Sequence, residues 1–436
     1  MRWWLAASIA LAACGDDRPW QFDAAEQVRE LPMPEDVPIV RMTREEFAAQ
    51  AAADADQIDD ATLQYYADTY GRLGFFDRDL DLRPVFAASS SDWVGATYSP
   101  TRKQITLVGT ARDDVLVHES VHAIQDQNFG LNDYDDLSSS DGFLARRALV
   151  EGDATLAQYR FYGETIAQPG FTLDRWDWAA VFADSRDFAD GQLADADYPV
   201  LFVDYVSFVY SRGLEYCADN LMGVTLADPV AAPAPHDWTR EDAAFTTRPP
   251  LTTRAVLALD LGGGEPPAEV GLAEVPAALA DQLELVDWDR LGHWYVYLLL
   301  YPLRDQLAAD ALAAAWRADR ALFLRATAGG ATSVLWTSDW ATEADADSVA
   351  AAMWTLLGQN PIKGDPANRA LSNDGELVHI ERRGTRLVVA RNLAAEQLDV
   401  LVDASFAGAA PAPARRWLSL PAFVRRHQER FDFAGF

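Results

Sequence analysis

The pentapeptide His118-Glu119-Ser120-Val121-His122 decides how this chain is read. Upstream, Thr110 to Asp114 offer capping and acidic first-turn residues; Val115, Leu116, Val117, Val121 and Ile124 recur through the motif, and Gly130 supplies a stop. Such a pattern predicts a helix. At about 100° per residue, His118 and His122 stand one turn apart on one face, where two imidazoles can meet one metal ion, with Glu119 to the side as a base. A catalytic zinc ion takes three protein ligands and keeps one open position, so a third donor is required. Glu151 is the candidate. It lies in a second predicted helix, from about Phe143 to Tyr162, with Ala148, Glu151 and Thr155 along one stripe. Glycine inside a helix costs up to about 1 kcal/mol relative to alanine, so Gly152 beside the donor predicts a close backbone neighbour, with the first helix as the expected one.

The segments VHESVHAIQDQNF (117–129) and ALVEGDATL (148–156) together resemble a group of bacterial zinc metallopeptidases of the gluzincin type, which pair an HExxH helix with an EGDA segment. The likeness extends to VRELPMPEDVPIVRMTREEF (28–47), LGFFDRDLDLR (73–83) and GATYSPTRKQITLVG (95–109) on the N-terminal side, and to WDRLGHWYVYLLL (288–300) and VLWTSDWATEADADSVAAAM (334–353) on the C-terminal side. It implies a zincin-like fold, peptide-bond hydrolysis, His118, His122 and Glu151 as zinc ligands, and Glu119 as the base that activates water. Two positions depart from the pattern. Arg254 stands in Pro249-Pro250-Leu251-Thr252-Thr253-Arg254-Ala255, where that group tends to read Pro-Pro-x-Ser-Thr-Glu-Gln, and His293 in Leu291-Gly292-His293, where it tends to read Leu-Gly-Glu, so a carboxylate is replaced at each.

A ligand imidazole is normally oriented through its other ring nitrogen, and Asp153 and Asp126 are the acidic candidates nearest in sequence. A donor for the developing oxyanion could come from Tyr159, Tyr162 or His236, and spacing does not select among them. Val94–Tyr98 and Gln104–Gly109 flank a turn-rich connection and read as a β-hairpin leading into the motif helix. Ile105 to Val108 is then either a peptide-binding edge or an ordinary core strand.

Residues 1–13 have the form of an export signal: Arg2, then an apolar run from Trp3 to Leu11 too short to span a bilayer, then Ala12-Ala13. Leu11-Ala12-Ala13-Cys14 resembles a bacterial lipobox, which implies acylation of Cys14 and a lipid-anchored, extracytoplasmic protein tethered by residues 14–40. The only other cysteine, Cys217, is then unpaired and expected as a small buried hydrophobe. A net charge of −31 disfavours nucleic acid as a partner. The acidic clusters Asp133-Tyr134-Asp135-Asp136 and Asp195-Ala196-Asp197 lack the spacing of a calcium loop and read as solvated loops. Nothing in the sequence sets the oligomeric state.

Helices are expected at about Thr43–Ala53, Asp59–Arg72 and Leu201–Leu214, and Gly262-Gly263-Gly264-Glu265-Pro266-Pro267 reads as a linker. Beyond it, Trp288 to Ala318 reads as helical with a break at Pro302, Ala321–Ala328 and Thr332–Thr337 as strands, Glu343–Leu357 as a helix and Leu377–Arg391 as a hairpin turning at Gly384. The predicted class is α+β: a zincin-like catalytic domain at 41–260, a linker at 261–284 and a C-terminal α+β subdomain at 285–436. Trp176 with Trp178 and Trp288 with Trp294 could stack on a ligand but read first as core. His293, His379 and His427 have no ligand-spaced partner. A zinc endopeptidase acting on a peptide or protein is the leading expectation. An inactive zincin-fold lipoprotein serving as a binding module and a zinc amidase acting on cell-wall bonds are the alternatives.

Overall fold

A computed structural model describes residues 18–89, 94–134, 138–167, 172–195, 199–224, 236–303, 306–357, 360–361, 368–372, 374–408, 410–412 and 418–424. The chain is α+β: a mostly helical N-terminal region with a small mixed sheet, then a C-terminal antiparallel sheet. Cys14, Asp135, Asp136, Asp197 and His427 lie outside the described residues. Among the described residues, no helix is long and apolar enough to cross a membrane.

Three strands, β1 (Ile39–Met42), β2 (Ala96–Ser99) and β3 (Gln104–Val108), form the first sheet in the order β1-β3-β2. The hairpin is present as expected, with β2 antiparallel to β3, while β1 pairs with β3 in parallel. That parallel pairing settles the choice left open for Ile105–Val108. They form the central strand, hydrogen-bonded on both sides, and β1 and β2 are the edges. Thr43 caps the helix Arg44–Ala55 through a reciprocal capping box with Glu46, and Asp59 caps Asp60–Leu73, so both early helices begin where the sequence predicts.

The motif helix runs Asp113–Phe129 and ends on Gly130 at φ 73°, a conformation that glycine adopts freely. Its N-cap is Arg112, which makes no side-chain cap bond; Asp113 and Asp114 in the first turn supply the favourable negative charge instead. The glutamate helix spans Ser140–Phe161 and begins earlier than expected because Ser139 caps it by accepting from the Gly142 amide. The expected helix Leu201–Leu214 is three pieces: Val200–Ser207, a π-helical turn Phe208–Arg212, and Gly213–Met222.

Seven strands make the second sheet: β4 (Leu283–Asp289), β5 (Trp316–Ala326), β6 (Ser333–Trp340), β7 (Asn360–Pro361), β8 (Arg369–Leu371), β9 (Leu377–Arg383) and β10 (Arg386–Arg391), in the order β4-β5-β6-β10-β9-β8-β7. Every neighbouring pair is antiparallel. Alternation sorts its side chains. Leu322, Leu324, Leu335, Val388 and Ala390 face a small core closed by Leu398, Leu401 and Val402 of the helix Ala395–Ala407. Ala321, Phe323, Val334, Trp336 and Val389 face the other way, into the large core shared with Val349 and Met353 and with Tyr66, Val121 and Leu149 of the N-terminal region.

The helical reading of Trp288–Ala318 is corrected. Trp288 belongs to β4, the helical part is Gly292–Leu300 and Gln306–Ala313, and β5 already begins at Trp316. Tertiary hydrogen bonds override the local apolar pattern here. Buried Asp289 at the end of β4 accepts from the Ser140 amide at 2.8 Å and the Tyr70 hydroxyl at 2.6 Å, and Asp319 on β5 accepts from the amides of Leu291 and Gly292 and the indoles of Trp316 and Trp336. Asp141, next along the glutamate helix, accepts from the Thr253 amide and hydroxyl at 2.8 and 2.7 Å. Asp289 thus ties the start of the glutamate helix to the second sheet, and Asp141 ties it to the segment at Thr253. Within 261–284, expected as a linker, Val270 is fully buried and the last residues enter β4.

Candidate metal centre

His118, His122 and Glu151 come together as one buried group able to hold a metal ion. Their facing atoms form a small triangle: His118 Nε2 to His122 Nε2 is 3.1 Å, His122 Nε2 to Glu151 Oε2 is 3.1 Å, and His118 Nε2 to Glu151 Oε2 is 3.5 Å. Donors about 2.0–2.1 Å from a tetrahedral ion are separated by about 3.3 Å, so the triangle has the size of a three-ligand face. Its chemistry agrees. Two imidazole nitrogens and a carboxylate oxygen turned towards one point repel unless protons or a cation lie among them.

His122 is oriented by an amide rather than by a carboxylate. Gln125 donates from Nε2 to the Val150 carbonyl at 2.9 Å and to Asp153 Oδ2 at 2.6 Å, which leaves its Oε1 to face His122 Nδ1 at 2.8 Å. With both amide hydrogens committed, that oxygen can only accept, so Nδ1 carries the proton and Nε2 presents its lone pair to the triangle. Asp153 in turn is held by Arg29, whose Nε lies 2.8 Å from Oδ1. Of the two acidic candidates, Asp153 therefore acts one step removed, through Gln125. Asp126 plays no such part: it accepts from the Tyr98 hydroxyl at 2.5 Å and pairs with Lys103 at 2.6 Å. Gln125→Leu is expected to weaken divalent-metal binding by about 10- to 100-fold while the helical circular dichroism is retained, a result that competition against a chromophoric chelator reads directly.

The second oxygen of Glu151 is bonded by the buried guanidinium of Arg147, one turn earlier on the same helix, which leaves Oε2 to the histidines. Burial opposes ionisation of Glu151, but the charges of His122 and Arg147 outweigh it and hold the carboxyl well below the usual range. On His122 burial disfavours charge, and Glu151 and Glu119 reverse the balance and raise its pKa. Glu119 differs. It is fully buried, neither carboxylate oxygen has a hydrogen-bond partner among the described residues, and burial pushes its pKa up against the pull of His122 and His118. An unpaired buried carboxylate is costly, and its place beside three convergent donors fits an arrangement completed by a cation and a water.

Gly152 has the close neighbour expected of it, but not the motif helix. A methyl group on Gly152 would overlap the carbonyl of Gly213 and come within 2.8 Å of Cys217 Sγ, and one on Gly213 would overlap the carbonyl of Ala148. The glutamate helix and Gly213–Met222 thus cross glycine to glycine. Cys217 is the buried small residue expected, with its thiol pKa raised well above the ordinary value by burial, and it takes no part in the donor group.

None of the three proposed oxyanion donors is shown at the triangle. Tyr159 packs on Trp176 and Trp178, Tyr162 lines a separate surface cleft with Arg112 and Asp114, and His236 pairs with Glu30 at 3.2 Å. The residue that sequence reasoning missed is Tyr210. Its ring lies 6.1 Å from that of His118, carried there by the π-helical turn Phe208–Arg212. A single inserted residue in a helix leaves no strong sequence signal, though such turns recur at functional sites. Trp178, Trp288 and Trp294 are buried, and Trp294 packs against Phe208 and Tyr297, so the core reading of these aromatics holds.

Residues 267–402 match a family described as a domain of unknown function (DUF8575). The match covers the whole of the second sheet and leaves the donors at 118–151 outside it. No curated protein and no solved structure matches the chain.

Proposed function

We propose that this protein is a zinc-dependent peptidase of the gluzincin type, exported and anchored to a membrane surface through lipid on Cys14. The observation that carries the reading is the donor triangle with the unpartnered, fully buried carboxylate of Glu119 beside it. His118, His122 and Glu151 would hold a zinc ion, which when bound would supply Lewis acidity towards a scissile carbonyl and an attacking water.

The chain's own groups do the rest. Glu119, its pKa raised by burial, takes a proton from the attacking water and passes it to the leaving amine. Arg147 and Gln125 keep Glu151 and His122 turned inward. Tyr210 brings a phenol to the histidines and is the candidate donor to the developing oxyanion. The edge strand β2 lies against the motif helix, an arrangement that suits backbone pairing with an extended peptide substrate. Lipid anchoring rests on the lipobox likeness of Leu11–Cys14 alone.

One observation favours a second reading, a metal-stabilised binding module without hydrolysis: His118, Glu119, His122 and Glu151 are each at most 5% exposed. Incubating the protein with zinc and a peptide library, with and without chelator, separates the two. Chelator-sensitive cleavage is expected. Cleavage confined to cell-wall fragments would make it an amidase, and the absence of any cleavage by fully zinc-loaded protein would leave the module.

A further inference from the structure

In a chain with 67 acidic residues against 36 Lys and Arg, guanidiniums without a carboxylate are conspicuous. Arg254 and Arg317 meet at one oxygen: Arg254 Nη1 donates to the Trp316 carbonyl at 3.2 Å and Arg317 Nη1 to the same carbonyl at 2.9 Å. Arg317 also donates to the Ala314 carbonyl at 3.2 Å, and among the described residues neither guanidinium pairs with an acid. Beside them lies His293. Its helix is joined to that of Arg254 by the Trp294 amide, which donates to Thr253 Oγ1 at 3.2 Å. His293 is 6% exposed, and both its ring nitrogens lack a partner among the described residues.

Two like charges drawn together over one carbonyl are unfavourable by themselves, and so is a buried imidazole with no hydrogen bond. An oxyanion relieves both at once, bridging the guanidiniums and accepting the imidazole N–H. We propose that Arg254, Arg317 and His293 form a binding site for a carboxylate or similar small oxyanion. Burial first, then the charges of Arg254, Arg212 and Arg317, hold His293 down to about 4, so it meets an anion as a neutral donor near pH 7. Arg212 adds a third cation, partly offset by Glu215 at 4.0 Å. It stands on the same π-helical turn as Tyr210, which reaches His118. That turn connects the site with the residue that packs on His118, but the inference does not require hydrolysis.

The test is a titration of the zinc-loaded full chain at low ionic strength, followed by calorimetry. The probes are acetate, inorganic phosphate, and two peptides identical except for a free or amidated C-terminal carboxyl. Saturable binding of at least one probe is expected, weakened about tenfold or more by Arg317→Ala and by Arg254→Gln. Arg317 is exposed, so its variant leaves the core intact. Preference for the free-carboxyl peptide over its amide would identify the anion as part of a substrate, whereas binding of acetate or phosphate without that preference would identify a free anion. Saturation by none of the probes, or affinity unchanged in both variants, overturns the proposal. A chain that binds the anion yet cleaves no peptide keeps this inference and refutes the preceding one.

Discussion

Glu119→Gln is expected to lower chelator-sensitive peptide hydrolysis by about a thousandfold while leaving the zinc stoichiometry unchanged. The amide keeps the shape of the carboxyl but accepts no proton, and none of the three donor atoms belongs to residue 119. Stability should move the other way. Because burial raises the folded pKa of Glu119 above its unfolded value, the folded metal-free protein binds more protons than the unfolded chain in the interval between the two. Stability therefore falls as pH rises from the ordinary carboxylate range through that raised pKa, and the penalty persists above it. A glutamine amide does not titrate, so the metal-free variant should melt at or above the wild type at neutral pH and lose this part of the slope. Unchanged hydrolysis with normal zinc content would remove Glu119 from the mechanism. Loss of zinc together with activity would make its role structural.

Gly152→Ala should be the most damaging single-methyl change near the site, destabilising the fold by at least about 3 kcal/mol and weakening zinc binding with it. The obstacle is backbone. An alanine methyl at 152 runs into the Gly213 carbonyl, and the reciprocal change at Gly213 runs into that of Ala148, so no rotamer relieves either. Only separation of the two helices does, and Glu151 adjoins Gly152, so the displacement reaches the donor. Gly191 in the helix Trp178–Asp195 is the control: its added methyl meets nothing within 4 Å, and Gly191→Ala should stabilise by about 0.5–1 kcal/mol. Chemical denaturation of the two variants beside the wild type reads the contrast. Equal stabilities for Gly152→Ala and Gly191→Ala would show that the crossing has slack.

Much of the donor group was legible because it is local. A spacing of four residues on a helix places His118 and His122 on one face whatever surrounds them, and Gly130 stops the helix through its own backbone freedom. Glu151 was legible for a different reason: the glycine beside it announced a crowded backbone. Which helix crowds it was not, since Gly213 is far along the chain and its segment carries a π-helical turn that no apolar period reveals. The same turn hid Tyr210. The role of Gln125 is not legible, because nearness in sequence to His122 does not say which side chain bridges to Asp153 and the Val150 carbonyl.

What the sequence alone determined, then, are the features that helix geometry and capping impose within a turn or two: the paired imidazoles, the adjacent carboxyl, the hairpin before them and the class of the fold. Tertiary structure decided β4, the glycine crossing, the relay from Arg29 through Asp153 and Gln125 to His122, and the meeting of Arg254 with Arg317. Each of these depends on buried polar groups finding partners on elements distant in the chain, and that pairing becomes definite only when the elements pack and water is excluded.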